Sequence, residues 1–517
     1  MPATLRPYYY PDLSRGGSFD LITADLCVYG GTAGGVVAAI AAAKRNLSVV
    51  LLEPGPRLGG VTSSGLGYTD IGNKAAIGGM AREFYRRVGR HYGVEEAWTF
   101  EPHVAERVFA DWLAETDVKV FTREFLDAAA RTGRRLTAVR MKSGRVVRAE
   151  QFIDASYEGD LLAAAGAPFR VGREDNALFQ ETLNGAQINK THQFDYPVDP
   201  YVVPGDSNSG LLFGMEPGQP VVGAGDHRVQ AYCFRVCLTD DPANRIPFAK
   251  PEGYDPRWYE LLRRYFAAGW RDVFRKFDRL TVRSKTDTNN HGAVSTDFIG
   301  QNYEWPMGSY ATREKIYQAH VTYQQGLHWY LANDPGVPAE IRDQYRQWGL
   351  CRDEFVETGG WPTQLYVREA RRLLGEYVMT EHECRGTRLA PEPVGLAAYT
   401  MDSHNCRRFA RDGHVANEGD VQEHGFPPYP IAYKAMVPPA AQCENLLVPV
   451  CLSATHIAYG SIRMEPVFMI LGQSAATAAH IALEERIPLQ AVPYADLRAA
   501  LLKEGQILAW EQSEQPR

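Results

Sequence analysis

The chain has 517 residues, enough for two to four domains at ~150 residues each, with 45% apolar and 23% charged residues as in ordinary soluble globular proteins. Its net charge of −7 offers no basic field for a nucleic-acid partner. No apolar run approaches the ~20 residues that cross a bilayer, and Met1–Gly17 carries no basic-then-apolar leader, so the expectation is a cytoplasmic protein without a membrane span.

The first predicted elements lie between Asp25 and Gly65. An apolar run (26–29), a break at Gly30-Gly31, helix formers from Val36 to Lys44 and a second apolar run (49–52) read as strand, glycine turn, helix, strand. Gly30, Gly31, Gly34 and Gly35 let backbone approach a pyrophosphate at a helix N-terminus. Glu53 ends the second strand, where a dinucleotide-binding unit keeps the acid that accepts from ribose hydroxyls. Thr32 stands where the fingerprint has glycine, so a phosphate either sits farther out or bonds its hydroxyl.

Helices are expected next at 80–92 and 102–115, then a short strand at 118–122. LTAVRMKSGRVVRAEQFIDAS reads as strand, Ser143-Gly144 turn, strand, and a further buried strand ending at Asp154. From Phe169 to about residue 389 the sequence is polar, aromatic and proline-bearing, which suggests an inserted substrate domain. VVGAG at 221–225 reads as a hairpin turn, because no third glycine comes after it. Helices are expected at 256–268, 312–331 and 340–348, and at Arg368, Arg371 and Arg372, which would share one face. Between the first two of these, SKTDTNNHGAVSTDFIGQNYEWP reads as a long polar loop, with Asp287 and Asp297 as turn formers and no metal site.

Cys233 and Cys237 would share a side if their stretch is a strand, and buried free thiols are the reading for all eight cysteines. Near the C-terminus a buried strand (446–450), a polar loop (453–463) and a Gly/Ala-rich helix (465–483) close the chain.

Arg57-Leu58-Gly59-Gly60, followed by Thr62, Ser63 and Gly65, resembles the segment of glutathione-reductase-like flavoproteins that wraps the pyrophosphate and leads to the flavin. GGTAGG, RLGGVTSSGLGYTDIG, FIDASYEGDLLAAAG, NNHGAVSTDFIG and SATHIAYGSIRMEPVFMILGQSAATAA together resemble bacterial FAD-dependent oxidoreductases related in fold to fumarate reductase flavoprotein subunits. The resemblance implies FAD, a Rossmann-like α/β FAD-binding domain with parallel sheet and β-meander, and an inserted α+β substrate domain. The FAD domain would comprise 1–168 and 390–517, the cap 169–389. Asp154 falls where many relatives carry an Ala-Thr-Gly motif, and Glu465 heads the helix that such enzymes aim at the flavin.

Flavin chemistry pairs hydride transfer with a proton-transfer group. His456, in the loop before the flavin-facing helix, is the first candidate base, with His404 and His291 after it. Arg463 is a candidate for flavin O2 or a substrate oxyanion, and Arg368 for substrate. The expected activity is a dehydrogenase or oxidase for a polar, sugar-like hydroxylated molecule. Oxygen, a quinone or another carrier would close the cycle, since only one nucleotide fingerprint is present. An enoate reductase or dehydrogenase, or a flavin-dependent lyase or binding protein, are the alternatives.

Overall fold

The computed structural model describes residues 6–11 and 20–510. Most of Met1–Gly17, where no leader pattern is expected, lies outside the described residues. β1 (Leu21–Tyr29), α1 (Ala33–Ala43) and β2 (Val49–Glu53) form the strand–helix–strand unit. Leu26 and Val28 face one core cluster while Cys27 and Tyr29 face another, so β1 is covered on both faces. That is why the run is apolar without alternation.

The chain continues through α2 (Gly79–Tyr92), α3 (Pro102–Ala114), β3 (Lys119–Thr122), β4 (Leu126–Thr132), β5 (Arg135–Met141) and β6 (Val146–Asp154). A seven-stranded sheet in the order β3-β2-β1-β6-β5-β4 results, with the short strand Leu446–Leu447 also paired to β6. β3, β2, β1 and β6 run parallel, and β4, β5 and β6 form the antiparallel meander. The two strands expected between Arg145 and Asp154 are one: β6 pairs with β5 through its first residues and with β1 along its length. The fold is α/β, with a Rossmann-like sheet, and its middle is α+β. There a five-stranded antiparallel sheet is built from Val236–Thr239, Arg245–Ile246, Phe277–Arg279, Lys285–Thr288 and Gly349–Cys351.

Two local expectations fail. Arg368, Arg371 and Arg372 lie on extended chain, with Arg372–Leu373 paired to Phe169–Arg170. Each guanidinium meets a carboxylate from elsewhere, Asp297 at 2.9 Å, Asp160 at 2.7 Å and Glu174 at 2.9 Å, directions a single helix face could not supply. The stretch 453–463, expected as loop, contains the helix His456–Ile462, capped by the Thr455 hydroxyl. Its Gly460 is required by contact, since a Cβ there would lie 2.6 Å from Asp402 O.

The final long helix, Glu465–Glu485, packs on α1. A Cβ at Gly472 would come within 2.1 Å of Gly34 O, so the two backbones touch through glycine. This is the one helix among the described residues with the length and apolarity to cross a membrane, a candidate missed in the sequence. Because 89% of its most apolar window is buried against the rest of the protein, it reads as a core helix.

Candidate active site

Beyond the ends of β1 and β2 the chain borders a cleft lined by Gly30, Thr32, Glu53, Arg57, Gly60, Ser64, Tyr157 and Gln364 among others. Gly30 has φ +99°, and a Cβ there would lie 2.4 Å from Ser156 N, so only glycine makes this turn. The Thr32 hydroxyl donates to Ala155 O (2.8 Å) and accepts from Gly35 N (3.2 Å), capping α1 rather than facing a phosphate. The Glu53 carboxylate accepts from Gly31 N at 2.6 Å and from Gly55 N. Burial outweighs those bonds and pushes its pKa up to about 7. Gly59 N donates to Gly31 O (2.7 Å), which holds the 57–65 segment over the turn. The donor set fits a dinucleotide: glycine backbone and a helix N-terminus for the pyrophosphate, an oriented acid for ribose hydroxyls.

Two segments connect this cleft with a second cavity: Ser64 and Gln364 line the first, Asp70 and Tyr366 the second. The second cavity, about 210 Å³, is walled almost wholly by polar groups, among them His192, Arg235, Lys276, Tyr399, Asp402 and His404. His404 Nδ1 lies 2.8 Å from Asp297 Oδ2, and Nε2 lies 3.6 Å from Asp402 Oδ2. Burial opposes charge on Asp297, but Arg368 and His404 outweigh it and hold the carboxyl well below the usual range. Burial likewise opposes charge on Asp402, and His404 and Arg463 hold it well below. Arg463 donates to Tyr366 OH (2.9 Å) and Asp402 O (3.0 Å). Arg368 and Arg463 lie 4.9 and 5.8 Å from the Tyr366 ring centre, so that ring is flanked by two cations.

The remaining expected residues fall in several places. His456 is 1% exposed and lines neither cavity. Its Nδ1 lies 2.8 Å from Glu369 and its Nε2 2.9 Å from Ser403 Oγ, so both ring nitrogens are engaged one residue away from His404. His291 lines a third cavity, with Nε2 3.0 Å from Asp272. Arg57 borders the cleft while paired to Glu106 and Glu357. Thr62 Oγ1 and Tyr157 OH each donate to Glu465 at 2.7 Å. Ser63 turns its hydroxyl to Leu58 O and Gly60 O. Gly34 and Gly35 are buried in α1, and Gly65 lies against Arg235 O. Asp154 is buried and accepts from Ser156 N (3.0 Å) and Leu162 N (2.6 Å), fixing the turn after β6.

Asp287 and Asp297 are not turn formers. Asp287 is on the strand Lys285–Thr288 in a bidentate pair with Arg235 (2.9 and 2.7 Å), and Asp297 backs His404. Sequence reasoning missed both partnerships, along with His192, Tyr366 and Asp402. Glu101, His103 and Glu354 converge in the manner of metal ligands, but Lys285 Nζ stands 2.6 Å from Glu101 and 2.8 Å from Glu354, a cation already in place.

Fold and cleft together define a dinucleotide-binding protein of the α/β flavoprotein kind. A family model described as FAD dependent oxidoreductase matches residues 25–501. The chain belongs to that family, and FAD is its cofactor. Comparison with curated protein sequences finds no match. Among solved structures, a geranylgeranyl bacteriochlorophyll reductase-like protein from Thermoplasma acidophilum is similar at 17% identity over 28% of this chain and 42% of its own (TM-score 0.20). L-proline dehydrogenase from P. horikoshii is similar at 14% identity, over 30% and 58% (TM-score 0.24), and T. acidophilum thioredoxin reductase at 16%, over 26% and 38% (TM-score 0.18). The chain thus spans about half the length of these structures.

Proposed function

We propose that this chain is a flavin-dependent dehydrogenase or oxidase acting on a polar, hydroxylated, sugar-like small molecule held in the His404 cavity. The observation that carries the reading is the Asp297–His404 pair at 2.8 Å on the wall of a polar cavity. Bound FAD supplies the hydride acceptor. The N-terminus of α1 and the backbone at Gly60 would hold its pyrophosphate, the Gly30-Gly31 turn letting it approach, and Glu53 would hold its ribose. With Nδ1–H donated to Asp297, His404 keeps a lone pair on Nε2 to take a hydroxyl proton, and the ionised Asp297 and Asp402 stabilise the imidazolium that forms. Arg463 and Arg368 fix Tyr366 and the two carboxylates. His456 becomes a positioning residue, bonded to Ser403 beside the base.

Reduction of an activated C=C would need an arginine free for a substrate carboxylate. Arg235, Arg368 and Arg463 are each engaged with protein carboxylates or carbonyls, which favours the hydroxyl reading. A place in the glutathione-reductase-like superfamily is supported by the parallel sheet and meander. A discontinuous FAD domain (1–168 and 390–517) is supported by Leu446–Leu447 joining β6. The hairpin residues 407–418 lie nearer the cap, Arg408 donating to Ala293 O at 2.9 Å. Oxygen, a quinone or another carrier would take the electrons, and eight free thiols fit a reducing compartment such as the cytoplasm. The test is anaerobic bleaching of the flavin by a panel of sugars, polyols and organic acids. Reoxidation of the reduced flavin by unsaturated acids, with no bleaching by any alcohol, would overturn the reading.

A further inference from the structure

Residues 6–11 precede the nucleotide-binding unit in sequence, yet Tyr8 and Tyr9 share the wall of the FAD cleft with Glu53, Gly55 and Arg57. They are fastened there from two sides. On the nucleotide side Tyr8 OH accepts from Arg123, whose guanidinium also lies 5.7 Å from the Tyr8 ring centre. Arg123 follows β3 and donates its backbone N–H to Gly55 O at 3.0 Å, so Tyr8 is tied to the turn after Glu53. On the other side the helix Tyr310–Asn333 of the middle segment takes hold. Glu314 Oε2 accepts from the Tyr9 and Tyr10 amides at 2.8 and 2.7 Å, and Gln318 Nε2 donates to Pro7 O at 2.9 Å. The Tyr9 ring packs on Trp305 with ring centres 4.8 Å apart, and Tyr10 stacks on Tyr310 at 5.2 Å with planes 23° from parallel. Hydrogen bonds from backbone amides to a carboxylate are of the strong, charge-assisted kind. The tyrosines are therefore pinned on the cleft by a residue, Glu314, that does not itself line it.

We propose that Tyr8 and Tyr9 are FAD-binding residues, covering the adenosine half of the cofactor beside Glu53, and that Glu314 is the positioning residue that holds them over it. An aromatic side chain next to the ribose acid offers the adenine an apolar face. Cofactor retention then depends on a helix of the middle segment as well as on the βαβ unit. The test reads FAD release, not turnover, so failure of the His404 reading would leave it standing. After dilution of the FAD-loaded enzyme, recovery of flavin fluorescence should be at least about tenfold faster in Glu314→Ala than in the parent, with a correspondingly weaker Kd, the scale of losing hydrogen bonds to a charged group. Tyr8→Ala should release FAD about threefold to tenfold faster, the worth of an aromatic contact, and Tyr8→Phe, which keeps the ring, should stay near the parent. Circular dichroism checks that each variant is folded. Coupling between two sites is reciprocal, so in the unmutated protein bound FAD should slow hydrogen exchange in the peptide carrying the Tyr9 and Tyr10 amides by about tenfold. Exchange in that peptide that is the same with and without FAD, parental release from folded Glu314→Ala, or a tighter Kd in Tyr8→Ala would each overturn the assignment.

Discussion

Thr62 Oγ1 donates to Glu465 Oε2 at 2.7 Å across 403 residues of chain, tying the glycine segment after β2 to the first turn of the long C-terminal helix. The carboxyl is fully enclosed, and burial pushes its pKa from 4.5 up to about 7 despite the Thr62 and Tyr157 hydroxyls. The folded protein therefore keeps a proton that the unfolded chain releases between these values. Stability from this site is greatest below pH 4.5 and is lost as pH rises to about 7. Glu465→Gln cannot titrate. Relative to the parent, the variant should gain about 3 kcal/mol between pH 4.5 and 7.5 in denaturant unfolding, from about 1.4 kcal/mol per pKa unit. A parent–variant difference that stays flat over that range would show that Glu465 is ionised throughout.

Glu53 closes the other end of the same system. Because its carboxylate is already oriented by the amides of Gly31 and Gly55, it presents remaining lone pairs to the cleft. Glu53→Ala should weaken FAD binding by about 1.5–3 kcal/mol, the worth of a hydrogen bond to a charged group. Flavin fluorescence during titration of the apoprotein measures it. An unchanged Kd would remove Glu53 from the ribose assignment.

How legible each feature is in the sequence depends on how far apart the interacting residues lie. The Gly30 turn, α1 and Glu53 sit within one short βαβ stretch, so strand, turn and helix chemistry are readable together. The Asp297–His404 and Arg368–Asp297 pairs join segments with no periodic pattern between them. A polar residue in such a stretch looks the same whether it faces solvent or a buried counter-ion. The misplaced helix at 368–372 has the same cause: local spacing suggests one face, and three separate carboxylates decide otherwise. Position in a loop favours His456 in the sequence, but that loop is a helix, which turns the imidazole inward to Glu369.

The thiols offer a check on the core. All eight cysteines are buried and unpaired, and Cys237 and Cys351 face each other across neighbouring strands with sulfurs 3.6 Å apart. Burial pushes Cys27 and Cys384 far up, and the Cys351 hydrogen bond together with burial does the same to Cys237. Thiolates are the reactive form. Ellman's reagent should find no rapidly reacting thiol in the native protein at pH 8 and all eight in guanidinium. A thiol that reacts within seconds under native conditions would contradict this packing.

The decisive comparison is between His404 and His456, whose neighbourhoods meet at Ser403. His404 faces the polar cavity with Asp297 behind it, whereas His456 has both nitrogens engaged within the protein and is 1% exposed. If His404 is the proton-transfer group, His404→Ala should keep its FAD and its fold but lose flavin reduction by roughly 10²–10⁴-fold, the usual worth of a general base. His456→Ala should act mainly on stability. Removing its ring takes one partner from the buried Glu369 carboxylate, which keeps the Gln230 N–H, and leaves the Ser403 hydroxyl unpaired, at a cost of about 1–3 kcal/mol for a group left unsatisfied. Its rate loss should therefore be the smaller of the two, and His456→Gln, which can still bond both neighbours, should recover most of the stability. Rapid-mixing flavin reduction and denaturant unfolding on the same three proteins separate the roles. A His456→Ala enzyme that is fully stable yet slowed more than His404→Ala would return the proton to His456, and would require the imidazole to reach the cavity by displacing Ser403.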